Sequence, residues 1–226
     1  MVNEKELKKQ LSEIFNEDVI CHTNTMIREY EKLMAYYRCA IMEVETKFNV
    51  LDEEFSLRLD RNPINSIKSR LKSMQSMREK LERKGIPYSV SAIEEQLNDV
   101  AGVRVICSFT DDVYKLAESL LKQDDIELVE KKDYIANPKP NGYRSLHLII
   151  TVPIFLEKEK KLMKVEIQLR TIAMDSWASL EHQLRYKKDH DFDENMANEL
   201  LKCAELSSEL DSRMDSLRSK VQENND

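Results

Sequence analysis

From Lys164 to Arg170 polar and apolar residues alternate without a break. Period-two alternation predicts a β-strand with Val165, Ile167 and Leu169 on a core face and Lys164, Glu166, Gln168 and Arg170 on the other. Two further segments read the same way: Val103 to Phe109 turns Arg104 and Ser108 to its polar side, and Ser145 to Ile150 turns Ser145 and His147. A short strand carrying Ile67, Arg70 and Lys72, and another around Ile126 to Ile135, bring the predicted strands to five.

Between and around the strands the period changes. Met26, Tyr30, Leu33, Tyr37, Ile41, Val44, Phe48, Leu51 and Phe55 step by three and four, which predicts a long amphipathic helix with a coiled-coil-like seam. Asn62-Pro63 closes that region. A helix from about Ser73 to Lys84 ends at Gly85, placed as the residue after the cap and followed by Pro87. Ser91 with Glu94 three residues on reads as a capping box for a helix reaching Leu97. Further helices are expected over 111–122, 174–187 and 194–221, the last with Leu210, Met214, Leu217 and Val221 again four and three apart. Pro138 to Gly142 reads as an exposed turn. Strands flanked by helices, several of them too close in sequence for a crossover helix, predict an α/β (α+β) fold with a mixed sheet.

If the strands share one sheet, their polar faces converge. Glu166, Arg104, Arg170, His147 and Gln168 then lie on one surface, with a second acid, Asp99, just before the Arg104 strand. Two carboxylates facing a field of cations suit a magnesium ion and phosphates. Taken strand by strand, the same face also fits a solvated sheet surface whose charges pair across strands.

Composition narrows the choice. With 41% hydrophobic and 34% charged residues among 226, the chain reads as a soluble protein with enough residues for one substantial α/β core plus helical extensions, or for two small domains. No apolar stretch approaches a bilayer span, and the N-terminus lacks the apolar core of a signal peptide, so a cytoplasmic location is expected. Cys21, Cys39, Cys107 and Cys203 show no CxxC spacing, which predicts reduced thiols rather than a structural zinc site. A formal charge of −7 argues against a general nucleic-acid coat, yet the stretch from Lys68 to Lys84 is strongly basic, which suggests a local anion site. The glycines, Gly85, Gly102 and Gly142, do not cluster at one turn, so phosphates would have to be held by side chains rather than by a glycine-rich loop.

Read in order, Arg70-x-Lys72-x-x-x-Ser76-x-x-x-Lys80, Asp99-Val-Ala-Gly102-Val-Arg104, Asn141-Gly-Tyr143-Arg144-Ser145-Leu-His147, Glu166-Ile-Gln168-Leu-Arg170-Thr171 and Trp177-Ala-Ser-Leu-Glu181-His182 resemble the synthetase domain of the RelA/SpoT family. Their spacing is similar to that of the single-domain small alarmone synthetases, with the RelP-like branch nearest. The resemblance covers about residues 60 to 190. It implies a five-stranded nucleotidyltransferase-like sheet in a domain over 61–190, a helical region over 1–60 and a C-terminal helix over 191–226. The implied reaction moves the β,γ-pyrophosphate of ATP onto the 3′-hydroxyl of GDP or GTP, giving (p)ppGpp and AMP.

The same resemblance implies roles. Asp99 and Glu166 would hold Mg²⁺, with Glu166 also taking the 3′-hydroxyl proton. Arg70 and Arg104 would sandwich adenine, for which a planar guanidinium is suited and an ammonium is not. Lys72, Ser76 and Lys80, four apart and on one face if helical, match donors to the ATP phosphates. Tyr143 would stack on the acceptor guanine, Lys139, Arg144 and His147 would meet the acceptor phosphates, and Gln168 and Glu181 would help shape the guanine site. The terminal helices are compatible with the symmetric tetramers that the family's small members form. Alarmone hydrolysis is not expected, because the lone His190-Asp191 pair has no companion ligands. Asp175 stands where the pppGpp-activated branch has asparagine, which puts such activation in question. Two other readings remain open from sequence: a related nucleotidyltransferase with another acceptor, and a non-catalytic nucleotide-sensing or RNA-binding oligomer.

Overall fold

The computed structural model describes residues 17–59, 61–186 and 193–223. In chain order its elements are α1 (Glu17–Leu59), β1 (Ile64–Leu71), α2 (Met74–Arg83), α3 (Val90–Gln96), β2 (Ala101–Cys107), α4 (Thr110–Leu121), β3 (Glu127–Asp133), β4 (Leu146–Phe155), β5 (Lys160–Thr171), α5 (Ile172–Tyr186) and α6 (Glu194–Glu223). The strands form one mixed sheet in the order β1-β2-β5-β4-β3, in which only β2 and β5 run parallel. The expected fold class is therefore the observed one.

The period-two reading of β5 explains its central place. Val165, Ile167 and Leu169 are fully buried against α1 and α4, whose Tyr37, Val44, Phe48, Val113, Leu116 and Leu120 belong to the same core. Burying a side chain of this size is worth about 1.5–3 kcal/mol, so the seam of α1 is chiefly intramolecular core from Leu33 onward. Met26, on the same seam, stays 40% exposed. The helix that a boundary at residue 60 sets apart thus shares one core with the sheet. The α6 seam is different: Leu210, Met214, Leu217 and Val221 are all largely exposed in the single chain.

Three local details depart from expectation. Ser89, not Ser91, caps α3: its backbone is extended and its hydroxyl accepts from the Ala92 amide, while Ser91 lies inside the helix and its hydroxyl meets that of Ser89. Ser108 falls beyond the end of β2, where its amide donates to the Pro63 carbonyl, so it leaves the polar face of the sheet. Ser145 is fully buried, its hydroxyl spent on the Leu169 carbonyl. The turn reading at Gly85 fits: at φ 69° it follows α2, and the Gly85 and Ile86 amides close on the Glu82 and Leu81 carbonyls.

Candidate active site

Cross-strand register sets out the polar face in two rows. One runs Arg70, Gly102, Glu166, Ile149, Glu130 across β1, β2, β5, β4 and β3; the next runs Lys68, Arg104, Gln168, His147, Lys132. Gly102 carries no side chain, so the sheet is bare between Arg70 and Glu166. A cleft of about 260 Å³ opens there, lined by Arg70, Gly102, Arg104, Glu166 and Gln168 together with Lys68, Ser69 and Val103. On the other side of Glu166 a second cleft of about 210 Å³ is lined by Lys132, Tyr134, Lys139, His147 and Glu130. Glu166 borders both.

The two acids are held by different partners. Asp99 Oδ2 accepts from both Lys72 Nζ and Lys80 Nζ at 2.8 Å, while its Oδ1 is buried without a hydrogen-bond partner. Burial works to raise the Asp99 pKa, but the hydrogen bonds and charges of the two lysines outweigh it and hold the carboxyl below its ordinary value. Lys72 reaches Asp99 from the turn between β1 and α2 rather than from a helix face. The helix begins only at Met74, after the Ser73 cap, whose hydroxyl accepts from the Ser76 amide. Glu166 lies 3.4 Å from His147 Nδ1 and accepts from Gln168 Nε2 at 3.0 Å. Burial again pushes upward, and the His147 contact outweighs it, so Glu166 also titrates below its ordinary value and is ionised at neutral pH.

A chain of polar contacts runs along the face. Arg170 donates to the Gln168 side-chain oxygen at 3.0 Å and to the Tyr143 hydroxyl at 2.5 Å, and that hydroxyl lies 2.8 Å from His147 Nε2. Tyr143, Tyr134 and His147 meet edge-to-face, and Lys139 sits over both tyrosine rings at 4.7 and 4.9 Å. The turn before Tyr143 is fixed by Gly142 at φ 86° and by the Tyr143 amide donating to the Asn141 side chain. Asn141 in turn donates to Glu181 of α5 at 3.4 Å, which ties the turn to the helix that walls a third cleft of about 400 Å³ over Arg70, Arg104, Tyr143, Gln168 and Arg170.

The sequence that builds this face matches a known family model. Residues 69–191 fit the region found in RelA/SpoT proteins. The chain belongs to the RelA/SpoT family. It is 42% identical to the GTP pyrophosphokinase YwaC of Bacillus subtilis over 87% of its own length and 94% of the relative's. It is also 36% identical to the B. subtilis GTP pyrophosphokinase YjbM, over 87% and 92%. Among solved structures it resembles small alarmone synthetase 2 of B. subtilis, with TM-score 0.75, 43% identity and coverage of 84% of this chain and 97% of the other. It also resembles small alarmone synthetase 1 of the same organism bound to its product pppGpp, with TM-score 0.78, 36% identity and coverage of 86% and 99%.

Within this RelA/SpoT chain the sheet and its flanking turns bring together Asp99, Lys72 and Lys80 at one end, Arg70, Arg104, Glu166 and Gln168 at the centre, and Lys139, Tyr143, His147 and Glu181 at the other. Ser76 stands in the first turn of α2, its hydroxyl bonded to that of Ser73. Arg144 donates to Ser208 of α6 and lines none of these three clefts. Lys132 and Tyr134 line the second cleft and were missed, since neither stands in a motif; the one available signal was the pairing of their strand with the His147 strand. The His190-Asp191 pair lies outside the described residues. Among the described residues no group of three or more His, Cys, Asp or Glu side chains is placed to hold a metal. No helix among them is long and apolar enough to cross a membrane.

Proposed function

We propose that this protein is a GTP/GDP pyrophosphokinase that transfers the β,γ-pyrophosphate of ATP to the 3′-hydroxyl of GDP or GTP, releasing AMP and (p)ppGpp. The observation that carries this reading is the position of Glu166, one ionised carboxylate shared by two clefts that are each lined with cations. A transfer between two nucleotides needs such a boundary. The donor lies in one cleft, the acceptor phosphates in the other with their guanine in the third, and a base stands where the first two meet.

In this reading ATP lies over Gly102 with its adenine between the guanidinium planes of Arg70 and Arg104. Its phosphates extend toward Lys72, Ser76 and Lys80. The acceptor guanine stacks on Tyr143 with Gln168 and Glu181 at its edge, and Lys139 and His147 meet the acceptor phosphates. Arg144 joins them by exchanging its Ser208 contact for phosphate. The 3′-oxygen attacks the β-phosphorus of ATP, its proton passes to Glu166, and the bond from that phosphorus to the α-phosphate oxygen breaks, so that AMP leaves with the bridging oxygen. Negative charge grows on the leaving AMP and on the transferring group, and the lysines placed along the phosphates offset it.

Asp99 and Glu166 are the residues that would hold Mg²⁺. The buried Asp99 Oδ1 lacks a hydrogen-bond partner, which fits an oxygen available to a cation, and Mg²⁺ takes few protein carboxylates because phosphates and water complete its shell. When bound, the ion would neutralise charge on the phosphates. The exposed stripe of Leu210, Met214, Leu217 and Val221 supports assembly into a homotetramer through the terminal helices, and a cytoplasmic location agrees with the nucleotide substrates.

Incubation with γ-labelled ATP, Mg²⁺ and GDP, GTP or GMP in turn tests the assignment. Label moving onto a guanine nucleotide supports it and ranks the acceptors. Absence of transfer to all three, from folded protein, would favour a different acceptor or a binding role.

A further inference from the structure

One buried carboxylate on this face has no part in the reaction as described. Asp175, in the first turn of α5, is 8% exposed. Its Oδ1 accepts from Arg104 Nη1 of β2 and from Arg170 Nη1 of β5, both at 3.1 Å, and its Oδ2 lies 3.7 Å from Lys68 Nζ of β1. Cations from three strands therefore converge on a single acid. The N-terminal end of a helix favours a negative charge at that place. The Nε atoms of Arg104 and Arg170 are buried without partners, so the Asp175 contact is what fixes the plane of the Arg104 guanidinium. Arg170 has two further anchors, Tyr143 and Gln168, and Gln168 leads on to Glu166.

We propose that Asp175 is a positioning residue that aligns the donor and acceptor sites together, holding Arg104 against the adenine and, through Arg170, holding Tyr143 and Gln168 for the guanine. This rests on the pyrophosphokinase reading above and deepens it. Without the carboxylate, two guanidiniums stand close together with no anion between them, and they repel. Arg104 turns toward solvent and loses its stacking plane. Arg170 loses one of its three anchors, and the Tyr143 hydroxyl loses its fixed donor. The energetic signature is a loss of affinity at both sites from one substitution that touches neither nucleotide.

Asp175→Asn keeps the volume and one acceptor oxygen but removes the charge, so it is the informative variant. Binding of a non-hydrolysable ATP analogue and of GDP is measured separately by calorimetry on wild type and variant, alongside KM and kcat for each substrate. The expected result is roughly 10- to 100-fold weaker binding of both nucleotides, less than the direct loss of a buried charge pair because Asp175 acts through Arg104 and Arg170, with a much smaller change in kcat. Asp175→Glu, which keeps the charge, recovers part of both. Unchanged affinity at either site in a folded Asp175→Asn protein overturns the proposal. Should that variant not fold, Arg170→Lys serves in its place. It must weaken the ATP analogue although Arg170 lines the third cleft and not the one over Gly102, and an unchanged ATP-analogue affinity overturns the proposal. Wild-type turnover is recorded first, so a failure of the pyrophosphokinase reading appears there and not in the variants.

Discussion

Gly102 faces Glu166 directly across the parallel pairing of β2 and β5, and the missing side chain is what opens the cleft between Arg70 and Glu166. A Cβ at this position would make only ordinary contact, 3.8 Å from Arg70 Cγ and from its carbonyl oxygen. Gly102→Val should therefore fold, since a β-branched residue suits a strand, while its methyl groups fill the floor between Arg70 and Arg104. We expect a thermal midpoint no lower than that of wild type and turnover reduced about 100-fold or more, the scale of loss when a reactant is displaced by an ångström. Wild-type turnover in this variant would show that ATP does not lie over Gly102.

Glu166→Gln keeps the shape and the contacts to His147 and Gln168 while removing the base. Turnover should fall roughly 10²- to 10⁴-fold, the usual contribution of a positioned proton acceptor, with the melting temperature little changed. Rates comparable to wild type would remove Glu166 from the chemistry.

Much of this site can be read along the chain, and the reasons it can are local. Period two in Lys164 to Arg170 specifies which residues share a face, and register then places Arg104 beside Gln168. What could not be read is where long side chains turn once on that face. Lys72 and Lys80 both end on Asp99, 27 residues beyond the first of them, because the turn before α2 carries Lys72 there while α2 itself carries Lys80. Arg144 stands next to Tyr143 in the same motif, yet it donates to Ser208, since the packing of α6 against the turn decides its direction. Ser89 displaced Ser91 as a cap for the same kind of reason: both have the right side chain, and only the extended backbone at Ser89 qualifies it.

The packing of α6 on the acceptor turn should be sensitive to a single methyl group. Gly142 has φ 86°, and a Cβ there would collide with that of Ala204 and approach Leu201 Cδ1 to 3.2 Å. Gly142→Ala is expected to cost about 1–3 kcal/mol from the strained backbone alone, more with the collision. Guanine-nucleotide affinity should drop with it, because Tyr143 packs against Trp177, Ala178 and Ala204. Differential scanning calorimetry and GDP binding on the same sample check both parts. A variant with unchanged stability would mean that α6 does not rest on this turn.

Asp211 of α6 gives a pH dependence of defined sign. Burial raises its pKa, and the Asp215 charge adds to this, outweighing the hydrogen bond from Thr171 and the charge of Arg144. With the folded pKa above the unfolded one, its contribution to stability is fully present below the unfolded value and is lost as pH rises through the folded value. At neutral pH the ionised Asp211 therefore weakens the fold. Asp211→Asn should melt higher than wild type at pH 7, and the gap should close as pH falls toward 4, the ordinary carboxylate range. A variant that is less stable at pH 7 would reverse the assignment.

If the ionised Glu166 between two cation-lined clefts serves transfer of a pyrophosphate and not of a single phosphate, the adenine nucleotide released is AMP. Chromatographic quantification of AMP, ADP and the 3′-pyrophosphorylated guanine nucleotide, from wild-type protein with ATP, GDP and Mg²⁺, tests it most directly. Wild type should give AMP and the new nucleotide in equal amounts with no ADP formed, and Glu166→Gln should give both at rates lowered roughly 10²- to 10⁴-fold. ADP with inorganic phosphate, or AMP without a matching guanine product, would contradict it.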